Sequence, residues 1–148
     1  MANAHILYAH LADNVFPSEG GKLNVIGVFA GLNNPGTVGV ATFPSVYPRL
    51  ALAIGLSTTT AKLPIEITFR TDAGKDVVPP FTGTFEIQRP TGTGQEEAAN
   101  VNFNLNFDAF QLEGPGKLFI SIDSEKNELA ELELNVVKSE PSNPAPEA

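Results

Sequence analysis

The stretch "NVNFNLNFDAF", residues 100–110, alternates polar and apolar side chains one residue at a time. One parity holds four asparagines and an aspartate, while the other holds apolar residues that include Phe103, Leu105 and Phe107. A period of two is typical of a β-strand with one buried and one wet face. Since each fully buried Phe or Leu contributes about 1.5–3 kcal/mol, the apolar parity should set the register of this strand. We therefore predict that the phenylalanines face a core and the asparagines face water.

Seven further segments of this kind follow one another along the chain, separated by clusters of Gly, Pro, Asn and Asp. None of them shows the periodicity of a helix. The eight predicted strands cover residues 4–12, 22–31, 48–57, 63–71, 82–89, 99–110, 116–123 and 128–137. Regularly spaced short strands with turn residues between them predict an all-β fold, an antiparallel two-layer β-sandwich of about eight strands.

Two of these segments are apolar on both parities: "KLNVIGVFAG" (22–31) and "RLALAIGL" (49–56). Such strands are expected in the middle of a sheet with a cover on the outer face. Between them lies the uncharged segment 32–46, which holds no predicted strand. Its apolar residues either cover the two strands or, if exposed, form an interface for a protein partner or a second copy. The residues concerned are Val38, Val40, Phe43 and Val46.

The chain of 148 residues has the length of one domain, and we place the β-sandwich at residues 1–138. Residues 139–148 are rich in proline, lack large apolar side chains and are predicted to be a disordered acidic tail. The sequence has no cysteine, so it forms neither disulfides nor thiolate metal sites. No signal peptide and no apolar run of about 18 residues is visible, which favours a soluble, cytoplasmic protein.

The formal net charge of −8 is concentrated in the second part of the chain. Residues 1–95 hold six acidic and six basic residues, whereas residues 96–148 hold eleven acidic and three basic ones. A surface of this sign repels phosphate groups, so we expect the protein to bind neither nucleic acid nor anionic membranes.

The turn and core residues of "GGKLNVIGVF" (20–29), "FPSVYPRLALAIGL" (43–56) and "GPGKLFISIDSEKNELAELELNVV" (114–137) resemble those of an uncharacterised bacterial family of small all-β proteins. The likeness covers most of residues 4–137 and contains no catalytic motif. It implies an immunoglobulin-like or fibronectin-like sandwich and no activity, since a fold by itself does not specify a function.

Catalytic patterns are weak in this sequence. Glu131 and Glu133 share one face of one strand, where solvated carboxylates that protect a sheet edge are the simpler interpretation. His5 and His10 differ in parity, so they cannot converge on one ion from the same strand face. We therefore expect no enzyme activity, no cofactor and no metal at a catalytic centre.

The sequence favours a non-enzymatic module for protein–protein interaction or self-assembly, and ligand binding is the alternative. A carbohydrate could bind to the asparagine-rich face, made of Asn102, Asn104, Asn106 and Asp108. Calcium could bind where alternating strands would gather acidic loop residues at one end of the sandwich. These residues are Asp13, Glu19, Glu96, Glu97, Asp123, Glu125 and Glu128.

Overall fold

The computed structural model describes residues 4–19, 22–87 and 98–139, which form two packed β-sheets. The nine strands of these residues are β1 (Ala4–Pro17), β2 (Leu23–Gly31), β3 (Gly36–Val40), β4 (Ser45–Thr58), β5 (Lys62–Thr71), β6 (Phe81–Glu86), β7 (Ala99–Leu112), β8 (Gly116–Ser124) and β9 (Asn127–Lys138). The first sheet has the order β2-β1-β4-β7, and the second has the order β3-β9-β8-β5-β6. Neighbouring strands are antiparallel except for β3 and β9, which are parallel.

The predicted all-β, two-layer architecture is confirmed, while its immunoglobulin-like connectivity stays a prediction. Of the predicted tail, residues 139–148, only Ser139 is among the described residues, and its backbone N–H donates to the Val40 carbonyl at 2.9 Å.

Aromatic side chains join the two sheets where β7 faces β5 and β6. The ring centroids of Phe107 and Phe69 lie 5.0 Å apart, and those of Phe103 and Phe85 lie 4.6 Å apart. The apolar parity of residues 100–110 therefore faces the core, as predicted. Because β7 is an edge strand, Phe103 and Phe107 are half-buried rather than fully enclosed.

The alternation in β7 ends at Ala109. This residue has a left-handed backbone, with φ at 61°, and its side chain is exposed. Phe110, which the strict alternation would turn outward, is instead 2% exposed and packs in the core. The local irregularity adds a third large aromatic ring, after Phe103 and Phe107, to the core side of the strand.

All eight predicted strands are present, and β3 is an additional strand that the sequence did not predict. It lies in segment 32–46, where Gly and Asn residues indicated a loop. Its pairing with β9 joins residues about a hundred positions apart, which local sequence preference does not report. Gly36 is needed here because a Cβ atom at this position would overlap the Phe29 carbonyl and Ala30.

The two strands that are apolar on both faces occupy different positions. As predicted, β4 lies inside the first sheet, between β1 and β7. The prediction that residues 22–31 lie in the middle of a sheet is wrong, because β2 is an edge strand. Its side chains Ile26 and Val28 are 53% and 50% exposed, so large apolar side chains of β2 meet solvent.

Candidate functional site: the hairpin of β1 and β2

The end of β1 and the start of β2 form a hairpin that lies over the outer face of β4. β1 pairs with β4 only as far as Ala12 but pairs with β2 to its last residue. The outer face of β4 carries small side chains, whereas Leu50, Leu52 and Ile54 alternate with them and face the main core. The underside of the hairpin packs on these small residues in a cluster that contains Val15, Leu23, Val25, Ala51 and Ala53.

Two asparagines of β7 hold the hairpin in this position. The Nδ2 groups of Asn104 and Asn106 donate to the Val15 carbonyl oxygen at 3.5 Å and 3.3 Å. β4 lies between β1 and β7 in the sheet, and neighbouring strands are about 4.8 Å apart. A short side chain cannot span two strand spacings within a flat sheet. The Val15 carbonyl must therefore lie above β4, where the asparagines can reach it.

The other half of the outer face of β4 is covered by Tyr8. The Tyr8 ring lies on Gly55, where a Cβ atom would overlap it, and its hydroxyl donates to Asn102 Oδ1 at 2.8 Å. His10 stacks on the same ring, with centroids 5.6 Å apart. Burial raises the pKa of the Tyr8 hydroxyl above its usual value. The cover that the sequence required for β4 is thus supplied by β1 and β2.

The asparagine row therefore lies on the outer face, as predicted, but it does not simply face water. Asn102, Asn104 and Asn106 form hydrogen bonds with β1. At the end of the row, Asp108 forms an exposed ion pair with Arg49 at 3.8 Å. The row acts as an attachment for β1, a role that the sequence could not reveal because the partner lies about ninety residues away.

The upper side of the hairpin is uncharged and exposes large apolar side chains. Cross-strand pairing places Asn14 opposite Ile26 and Phe16 opposite Asn24 on this side. Phe16 is 42% exposed and Ile26 is 53% exposed, whereas Val15, on the opposite parity, is 1% exposed. Val28 is also 50% exposed, but it lies beyond Gly27 and pairs with Ala12, a buried residue of the underside cluster, so it does not share the face of Ile26. We call Asn14, Phe16, Asn24 and Ile26 the hairpin face.

The hairpin face continues to the free edge of β2, which contains no charged residue and no proline. The other sheet edges have protection of the kinds common in proteins. β3 and β6 are short, with five and six residues, and β7 carries a row of polar side chains. In β2, Gly27 has φ at 73° next to Asp13, which interrupts the regular backbone of the edge. The side-chain face, rather than an uninterrupted ladder of backbone groups, is therefore the surface that β2 offers.

The interface predicted in segment 32–46 needs correction. Val38 and Val40 are 8% and 9% exposed and belong to the core, because β3 joins the second sheet and turns them inward. Phe43 is half-buried against the same core. Val46 alone of the four is a largely exposed side chain, at 49%. The segment thus contributes to the core between the sheets and does not cover the outer face of β4.

The predicted gathering of acidic residues at one end is also wrong. The prediction assigned alternate turns to the same end of the sandwich and did not include β3. The additional strand puts the β1–β2 turn at the opposite end from the β4–β5 and β8–β9 turns. Asp13 and Glu19 lie toward the start of β4, whereas Glu125 lies beside the junction of β4 and β5. Within the described ranges, no group of three or more His, Asp or Glu side chains could hold a metal ion. Glu96 and Glu97 lie outside those ranges.

The carboxylates of the second sheet lie on its outer face. Glu133 forms an ion pair with Lys117 at 3.3 Å, and Glu131 accepts a hydrogen bond from the Ser121 hydroxyl at 3.4 Å. These contacts are those of a solvated sheet surface, in agreement with the simpler interpretation of the sequence.

Asp123, on β8, has an altered titration. Partial burial raises the pKa of its carboxyl, and the nearby charges of Glu66 and Glu131 raise it further, against an opposing effect of Arg70. Glu66 is its direct cross-strand partner on β5. The Asp123 carboxyl therefore binds a proton more readily in the folded protein than in the unfolded chain.

A cleft of about 250 Å³ opens between the loop after β5 and the turn after β7. Val77, Leu112 and Leu118 provide apolar lining. At its rim, Lys75 pairs with Glu113 at 3.6 Å, so the charges there neutralise each other. Ligand pockets usually have volumes of roughly 300–1,000 Å³ with converging polar groups, and this cleft falls short on both criteria.

Comparison with protein families shows a match of residues 7–137 to the family model DUF6941, a family of unknown function. The chain belongs to the DUF6941 family. The matched range contains the hairpin and strands of both sheets. The expectation of an uncharacterised family is thereby confirmed, and membership of DUF6941 assigns no activity. A comparison with curated proteins gave no match.

In this DUF6941 protein, the sequence contains one signal for the hairpin face. Ile26 shares a parity with Asn24, and a mixed apolar and amide face is unusual for a strand enclosed on both sides. The described part of the chain contains no helix long and apolar enough to cross a membrane.

Proposed function

We propose that this DUF6941 protein is a non-enzymatic interaction module that binds protein through the hairpin face. The observation that carries the proposal is the exposure of Phe16 and Ile26, two large apolar side chains on diagonal cross-strand positions of one surface without charged side chains. Single exposed apolar residues are common, whereas contiguous ones are typical of interaction sites. This surface replaces segment 32–46, whose valines 38 and 40 lie in the core.

The underside of the hairpin supports the same function. Val15 is buried against β4, and its carbonyl is held by Asn104 and Asn106. These contacts hold the hairpin on the sandwich before any partner binds. A partner that binds the upper side therefore does not have to order a flexible loop. Pre-organised surfaces bind more tightly for that reason.

The remaining parts of the proposal come from composition. The net charge of −8 disfavours nucleic acid and anionic lipid as partners, and the sequence contains no recognised catalytic motif. We accordingly propose a protein partner, no cofactor and a cytoplasmic location.

Site-specific photo-crosslinking tests this proposal. A photoreactive phenylalanine analogue is placed at Ile26, and in a matched control at Thr84, which is exposed on β6 of the other sheet. After irradiation in native cells, we expect discrete crosslinked protein adducts from position 26 and none of comparable yield from position 84. Equal yields at the two positions, or none at position 26, would contradict the proposal.

A further inference from the structure

We propose that the partner of the hairpin face is a second copy of this chain, bound face to face about a two-fold axis. This inference rests on the proposed function and names its partner.

The charge of the molecule restricts where two copies can meet. Each copy carries a net charge of −8, so contact between acidic surfaces is opposed by repulsion. The hairpin face has no charged side chain, and the strand β2 has none along its nine residues. Asp13, the charged residue of β1 in this hairpin, lies beside Gly27 and accepts a hydrogen bond from the Tyr47 hydroxyl of β4 at 3.3 Å. Two copies can therefore meet at this face without burying like charges against each other.

The arrangement of the side chains suits contact with an identical face. On the two-stranded grid, the apolar residues Phe16 and Ile26 occupy one diagonal, and the amides Asn14 and Asn24 occupy the other. A two-fold axis brings the same patch of both subunits together, so each residue type must tolerate its counterpart. Apolar side chains satisfy this requirement, and so do amides, because each amide both donates and accepts hydrogen bonds.

The size of the face sets the expected strength. Each copy contributes two large apolar side chains that are about half exposed, which is a small contact compared with the roughly 800 Å² per partner of a stable complex. We therefore expect a weak, reversible dimer and not a permanent one.

Sedimentation velocity of the full chain, from about 5 to 500 μM, tests the inference. We expect a monomer–dimer equilibrium for the wild type and for the matched control Thr84→Lys, which adds the same charge on the second sheet. Ile26→Lys should weaken dimerisation at least about tenfold, because a two-fold axis places the two added charges close together. Phe16→Lys serves as a second variant, and circular dichroism confirms that each variant is folded.

The outcomes separate this inference from the proposed function. A wild type that stays monomeric at 500 μM overturns the second copy as partner, and so does a dimer that Ile26→Lys and Phe16→Lys leave intact. If the wild type is monomeric and position 26 crosslinks to a different protein, the hairpin face remains an interaction site with another occupant. If the wild type is monomeric and position 26 gives no crosslink, both proposals fail.

Discussion

The packing of Tyr8 on Gly55 gives a direct test of how β1 covers the first sheet. In Gly55→Ala, the added methyl group would overlap the Tyr8 ring, so the ring must move. Overpacking of this kind costs about 1–3 kcal/mol. Loss of the Tyr8 hydrogen bond to Asn102 adds about 0.5–1.5 kcal/mol, and the lower flexibility of the unfolded Ala chain offsets about 0.4–1 kcal/mol. We expect a net loss of about 0.5–4 kcal/mol in the free energy of unfolding.

Urea denaturation of four proteins measures this effect: wild type, Gly55→Ala, Tyr8→Ala and the double variant. Without the ring, the methyl group at position 55 has space, so the same substitution should be close to neutral in the Tyr8→Ala background. Gly83→Ala is the matched control, since a Cβ atom there makes only ordinary contacts with Phe81, at 3.5 and 3.6 Å. If Gly55→Ala costs the same with and without Tyr8, the proposed packing is refuted.

Further consequences concern stability and ligand binding. Asn104→Ala combined with Asn106→Ala should lower the free energy of unfolding by about 1–3 kcal/mol, because the Val15 carbonyl loses both side-chain partners. The pKa of Asp123 is raised in the folded state, so its contribution to stability is present at low pH and is lost as the pH rises through the folded pKa. Asp123→Asn should therefore be more stable than wild type at pH 7, by less than about 1 kcal/mol, and not at pH 3. Phe103→Ala should cost about 2–4 kcal/mol in urea denaturation, since it removes a half-buried ring packed on Phe85. Millimolar calcium should leave the Tm unchanged, whereas a reproducible increase would support the calcium alternative.

Matched variants make these stability measurements interpretable. Asn100→Ala changes the exposed first asparagine of the row and should be nearly neutral. Glu125→Gln removes one negative charge from the exposed β8–β9 turn and controls for the change in net charge of Asp123→Asn. A loss in Asn100→Ala as large as in the Asn104/Asn106 double variant would argue against the bonds to Val15. Equal pH profiles for Asp123→Asn and Glu125→Gln would argue against a specific effect of Asp123.

The strands could be predicted from the sequence because burial on one face imposes alternation directly on neighbouring residues. Phe103 and Phe107 face the core as their parity requires, and β4 lies inside its sheet as its two apolar faces require. The position of β2 could not be predicted in this way. A strand with two apolar faces has the same sequence pattern whether its second face is covered or exposed. The position of β2 at the edge of the sheet follows from its pairing with β1, which the pattern does not contain.

β3 and the candidate site depended on contacts between distant parts of the chain. β3 is stabilised by parallel pairing with β9, so five residues rich in Gly and Val gave no local signal of a strand. Omitting it also reversed the expected end of the β1–β2 turn and produced the wrong grouping of acidic residues. Likewise, the bonds from Asn104 and Asn106 to Val15 arise only once the hairpin lies across β4.

A dilution series followed by backbone amide NMR tests the central claim most directly, because it locates any self-contact residue by residue. Between about 500 and 10 μM chain, we expect chemical-shift changes centred on the hairpin face, at residues 14–16 and 24–26, with the outer face of the second sheet unchanged. Shifts that do not change with concentration, or changes centred elsewhere, such as around the exposed Val46 or Phe81, would contradict the account.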